Sequence, residues 1–259
     1  MPCTLSHPAA VVPLQRFCPH GLAFPALVIG SMTPDVGYYI HRFDMASFAH
    51  TILGSFAVCL PNGVFLLLIF YLVRKPVCFI SPTPHREALS QLCSAVPRLG
   101  LRSLAVIPVS LLLGAWSHIL WDSFTHQTGW FVQRVSWLRE PLFAIGSTSF
   151  RGHYLLQQFG TVAGAVVLLV AYLAWIQRYQ STQPVEVTAD QWRYLLWAAI
   201  ILVALVLALP PAAHIARRFE GYLAFRVFVF TAGVYFVSFA VTLIILASII
   251  IYARRHQVA

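Results

Sequence analysis

Residues 116–126 read Trp116-Ser117-His118-Ile119-Leu120-Trp121-Asp122-Ser123-Phe124-Thr125-His126 and close a long apolar run. Residues four apart stand one turn above each other on one helix face. His118 and Asp122 can therefore meet one cation. His126 lies about 12 Å beyond His118 by helical rise, which requires a break in the helix or a second metal. An imidazole and a carboxylate at membrane depth are costly unless paired or liganded. The rest of the chain is read as packing around this pair.

The composition makes the chain an integral membrane protein. Of 259 residues, 59% are hydrophobic and 10% charged, and the mean hydropathy is +0.76. A soluble domain carries about a quarter charged residues. The formal net charge is +9, and Lys75 is the one basic residue that is not arginine. Anionic lipid headgroups are the expected partners of this excess. Guanidinium binding to a phosphate-bearing substrate is the sharper reading. Cys3, Cys18, Cys59, Cys78 and Cys93 have no CxxC spacing, so neither a zinc knuckle nor a disulfide framework is expected. The first residues lack a basic region and a cleavage pattern, unlike a signal peptide.

The expected fold is all-α, a polytopic membrane helix bundle with five full spans plus an N-terminal helical hairpin, or six spans. The predicted spans are Thr51–Val73, Ser103–Trp121, Leu155–Ile176, Trp192–Leu209 and Val227–Ala253. Residues 1–20 and 22–32 are each too short to cross. Pro13 and Pro19-His20-Gly21 interrupt the first piece, and Thr33-Pro34-Asp35 ends the second. Folded as a hairpin, they return His7 to the level of Asp35; if the second piece spans alone, the two lie on opposite sides. Pro61-Asn62-Gly63 is expected to kink the first span.

Residues 74–102 form the most basic loop and are read as cytoplasmic, which puts the His118–Asp122 end on the other side. Segment 127–153 reads as an interfacial aromatic belt, with a lid over the site as the other reading. Gln177–Gln191 reads as a short polar loop. Two regions are expected, a metal-site membrane domain over 1–165 and C-terminal transmembrane helices of the same bundle over 166–259.

His7, Asp35, His50, His118, Asp122 and His126 each sit at or near the end of an apolar segment. A lone histidine there is commonly interfacial, and imidazole–carboxylate hydrogen bonding alone would explain His118–Asp122 as a structural pair. As ligands, mixed His and Asp groups suit a divalent metal: zinc, manganese or iron. Such a zinc lowers the pKa of bound water to about 7. Arg42 beside it can hold a phosphate oxygen.

Several stretches carry a resemblance. They are Thr4-Leu5-Ser6-His7-Pro8-Ala9-Ala10, Ala26–Asp35, His50-Thr51 and Ser117-His118-Ile119-Leu120-Trp121-Asp122. Together, over about the first 165 residues, they resemble a bacterial membrane family of unknown function (domain-of-unknown-function family 4184). That family is similar to membrane-bound metal-dependent hydrolases of bacterial inner membranes. The resemblance implies His7, Asp35, His50, His118 and Asp122 as metal ligands. Two departures stand out. Gly37 and Tyr38 occupy the second Asp and the His of a Pro-Asp-x-Asp-His run, and the His-Arg pair is either lost or is His41-Arg42, set further back.

The reading is a metal-dependent hydrolase at the membrane, acting on a phosphoester or lipid-linked substrate. Asp122 and His126 are the catalytic candidates, and Arg42, His41 and Gln157 the substrate candidates. The alternative is a non-catalytic scaffold or a metal- or proton-handling membrane protein using the same groups.

Overall fold

The computed structural model describes residues 4–18, 21–94, 100–145, 148–179 and 187–258. Cys3, the Pro19-His20 break, part of the basic loop around Pro97-Arg98 and part of the polar loop before Trp192 lie outside them.

The chain is a helical membrane bundle. Its helices are α1 (Phe24–Gly30), α2 (Val36–Tyr39), α3 (Phe43–Ala49), α4 (Ile52–Gly54), α5 (Leu60–Ile80), α6 (His85–Ser94), α7 (Leu101–Thr125), α8 (Ser136–Arg139), α9 (Gly152–Tyr179), α10 (Val187–Ala216) and α11 (Gly221–Val258). Among the described residues, five stretches are long and apolar enough to cross a membrane: Ile52–Ile80, Leu101–Thr125, Gly152–Tyr179, Asp190–Ala216 and Gly221–Arg255. The last four each contain a predicted span and outrun it, and Ile52–Ile80 starts one residue after the predicted Thr51 and runs past Val73. Ordered backbone in lipid must satisfy its own polar groups, so helices persist through prolines that would stop them in water. Pro76 lies inside α5, and Pro210-Pro211 lie inside α10.

The described residues fall into two compact units, Met1–Leu68 with Arg98–Leu173 and Ile69–Pro97 with Ala174–Ala259. In the first, a 3-10 helix covers Thr4–Phe17 and runs through Pro13, where the sequence predicts an interruption. It packs with α1 as the expected hairpin.

The seam between α1 and α7 is unusually close. A Cβ on Gly30 would meet the Leu111 carbonyl oxygen at 2.2 Å, and one on Gly114 would meet the Leu27 oxygen at 2.3 Å. Ser110 Oγ accepts the Ala23 N–H at the start of α1. Small residues permit such an approach, and in lipid the contact itself must supply the attraction.

The expected kink takes the form of a π turn over Ser55–Cys59, just before Pro61. Pro61 has no N–H to give the preceding turn, and the wider turn absorbs the loss. Asn62 Nδ2 donates to the Val58 carbonyl, and Trp116 Nε1 of α7 donates to Ser55 Oγ.

The aromatic segment after α7 contains an element the all-α expectation lacks, a hairpin of β1 (Pro141–Ile145) and β2 (Thr148–Arg151). Before it the chain folds back on the end of α7, where Ser123 O accepts from Phe131 N and Val132 is fully buried.

In the second unit, the basic loop is largely helical, since α5 carries Arg74 and Lys75 and α6 carries Arg86. Asp190, read as loop, lies in the first turn of α10. It accepts from Thr83 N and from Arg193 Nη1, 2.7 Å away. Arg193 Nε and Trp197 Nε1 donate to the carbonyls of Phe79 and Ile80, which ties down the end of α5.

Substituting Gly114→Ala should separate α1 from α7 and cost about 1–3 kcal/mol, as overpacking does. The thermal midpoint of the purified protein should fall. Gly233→Ala should leave it unchanged, because a Cβ there meets nothing within 4 Å.

Candidate metal centre

Side chains from three short segments converge on α7. His7 comes from the first 3-10 helix and Asp35 from the Thr33–Asp35 turn. His50 caps the C-terminus of α3, and His118 and Asp122 share one face of α7. Asp35, His50, His118 and Asp122 each offer one donor atom, and these four atoms lie within 4.8 Å of one another. His50 Nε2 is 3.2 Å from Asp122 Oδ2 and 3.4 Å from Asp35 Oδ1. His118 Nε2 is 3.3 and 3.6 Å from the same two oxygens.

These distances test whether a cation fits. Charge-assisted hydrogen bonds between imidazole and carboxylate run shorter, about 2.7–2.9 Å. Donors about 2.0–2.1 Å from one tetrahedral ion stand about 3.4 Å apart. The spacing matches the edges of a coordination polyhedron. Among the described residues, the buried side-chain atoms without a hydrogen-bond partner are Arg74 Nε and four in this cluster: His7 Nε2, Asp35 Oδ1, His118 Nε2 and Asp122 Oδ1. Orphaned buried polar atoms are rare, and a cation held by the four-donor group would satisfy Asp35 Oδ1 and His118 Nε2. The donor set, two imidazoles and two carboxylates, suits zinc, manganese or iron.

The outer contacts orient the donors. His118 Nδ1 is 2.8 Å from the Ser31 carbonyl, and His50 Nδ1 is 2.7 Å from that of Ala46. A carbonyl only accepts, so each Nδ1 carries a proton and each Nε2 is turned to the centre, where it is the atom a metal would take in place of a proton. Thr4 Oγ1 donates to Asp35 Oδ2 at 2.5 Å. Burial opposes the charge on Asp35, yet the imidazoles of His118 and His50 and the Thr4 hydroxyl hold its carboxyl well below the usual range. Burial also opposes the charge on His50, but Asp122 and Asp35 outweigh it and push the imidazole up to about 10. Burial, joined by His118, lowers His7 to about 3.

The remaining candidates are placed as follows. His126 does approach, because α7 ends at Thr125 and His126 takes extended backbone (φ −105°, ψ 140°). Its Nδ1 lies 3.4 Å from Asp122 Oδ1. Arg42 instead forms an exposed fork with Asp44, Nε to Oδ1 at 3.2 Å and Nη2 to Oδ2 at 3.0 Å. His41 is exposed in left-handed backbone, φ 57°. Gln157 is buried in α9 and its carbonyl accepts from Thr161 Oγ1; the Thr161 carbonyl in turn accepts from Ser6 Oγ, beside His7. Cys59 donates to the Ala49 carbonyl and is no part of the four-donor group.

The model of one family, described as a domain of unknown function (DUF4184), matches residues 1–250. The chain belongs to DUF4184. The match extends past the first 165 residues, through α9 and α10 and into α11. No curated protein and no solved structure matches this DUF4184 chain.

Sequence reasoning missed Thr4, Ser31 and Ala46 as orienting groups. Thr4 stood three residues before His7, and nothing in the sequence tied it to Asp35. The other two act through backbone carbonyls that every residue has. Substituting Thr4→Val should weaken divalent-metal affinity about 10–100-fold without changing how many ions saturate the protein. Competition with a chromophoric chelator measures both.

Proposed function

We propose that this chain is a membrane-embedded, metal-dependent hydrolase acting on a lipid-linked phosphoester. The observation that carries the reading is the convergence of orphaned imidazole and carboxylate atoms at coordination spacing, with access from one side. His118 is sealed, whereas the side chains of His50 and His126 are 21% and 28% exposed. Asp35, His50, His118 and Asp122 would hold a divalent ion, zinc, manganese or iron. When bound, it supplies Lewis acidity and a water whose pKa falls to about 7. The chain's own task is to hold the donors rigid through Thr4, Ser31 and Ala46 and to keep bulk water from the sealed side. Asp122 and His126 would move the proton; Asp122 is buried, and His126, 3.4 Å from it, is partly exposed.

A lipid-linked substrate is favoured by a crevice of about 200 Å³ lined by Ser6, His7, Trp121, Phe159, Gly164 and Val167. Its lining is almost wholly apolar and includes His7, which suits an acyl or prenyl chain. The motif resemblance to membrane-bound metal-dependent hydrolases supports the same class.

The test is phosphate or head-group release from phospholipid and prenyl-phosphate micelles by the zinc- or manganese-loaded protein. Turnover above that of free metal is expected, and Asp122→Asn should stay folded and lose it. A loaded, folded protein that cleaves none of these substrates would refute the reading.

A further inference from the structure

We infer that Asp122 bridges two cations, the second held by His7 Nε2, Asp122 Oδ1 and His126 Nδ1. The inference rests on the metal-site reading above and adds an ion to it.

The two oxygens of Asp122 face different donor sets. Oδ2 faces His50 and His118 at 3.2 and 3.3 Å. Oδ1 faces His126 at 3.4 Å and His7 at 3.7 Å. Oδ1 is itself a buried atom without a hydrogen-bond partner, as is His7 Nε2. One ion within the four-donor group needs neither atom. The His7 side chain is 3% exposed, so bulk solvent does not reach it.

Ring geometry gives an independent measure. His7 and His118 stack with centroids 3.5 Å apart and an interplanar angle of 13°. Ions in two-metal sites stand about 3.5–4 Å apart. Two parallel imidazoles offset by that distance, both with Nε2 turned toward Asp122, suit one ion each. A carboxylate using one oxygen per ion completes the bridge.

His126 can serve as the third donor. Its Nδ1 lies 3.3 Å from the Asp122 carbonyl, well beyond the 2.7 and 2.8 Å that fix His50 and His118. With its proton on the exposed Nε2, Nδ1 keeps its lone pair for the ion. His126 then becomes a ligand in place of a proton carrier. Two divalent ions against the carboxylates of Asp35 and Asp122 would leave a positive balance that an anionic phosphoester takes up, in keeping with the substrate class proposed above.

The experiment loads the full-length protein in detergent with Zn²⁺ or Mn²⁺, removes loose metal on a chelating column, and counts ions per chain. Wild type should retain about two. His7→Ala and His126→Ala should each retain about one, with folding checked by size exclusion and thermal melting. The Mn²⁺ form should show an exchange-coupled EPR signal that becomes single-ion in either variant. His126 is partly exposed at a helix end, so its variant decides the matter if His7→Ala does not fold. Saturation of wild type at one ion overturns the bridge and leaves the single-ion hydrolase reading standing; retention of none overturns both. Two ions in wild type and still two in both variants would place the second ion elsewhere and overturn the assignment.

Discussion

The contact on which the structure depends is the backbone approach of α1 to α7. Without side chains at Gly30 and Gly114, the two helices come within carbonyl reach. That closeness puts the Ser31 carbonyl 2.8 Å from His118 Nδ1. Ser31 directly follows α1, and the Thr33–Asp35 turn follows at once. The same seam therefore orients one donor on α7 and delivers Asp35 to it. A looser seam would move Asp35 and unlock His118 together. In lipid no hydrophobic gain compensates such a separation.

Electrostatics imposes the second constraint. Asp35, His118 and Asp122 are almost wholly buried, and burying charge without full compensation is expensive. The orienting contacts answer only part of this, because they engage the outward atoms: Asp35 Oδ2, His118 Nδ1 and His50 Nδ1. The inward atoms face one another across 3.2–3.7 Å. A divalent ion held between them would supply the missing compensation, as in metal sites coupled to folding.

Much of this was legible in the sequence, for identifiable reasons. The five spans follow from hydropathy, which reports the solvent of a segment directly. The His118–Asp122 pair follows from the helical repeat, and the hairpin that returns His7 toward Asp35 follows from two pieces too short to cross. Helix ends were less legible, because Pro76, Pro210 and Pro211 do not break helices in lipid as they do in water. The β1–β2 hairpin had a signal, Gly146-Ser147 between two short aromatic runs, that the aromatic belt reading masked. Arg42 was drawn toward the metal by its chemistry, whereas Asp44, two residues on, claims it at the surface. The orienting carbonyls of Ser31 and Ala46 were out of reach, since a backbone acceptor has no sequence signature.

The most direct test of the account is X-ray absorption at the zinc edge of the purified, zinc-loaded protein. The account predicts a first shell of nitrogen and oxygen only, at about 2.0–2.1 Å, with the multiple scattering of at least two imidazoles. A sulfur shell at about 2.3 Å, or a spectrum without imidazole scattering, would contradict it.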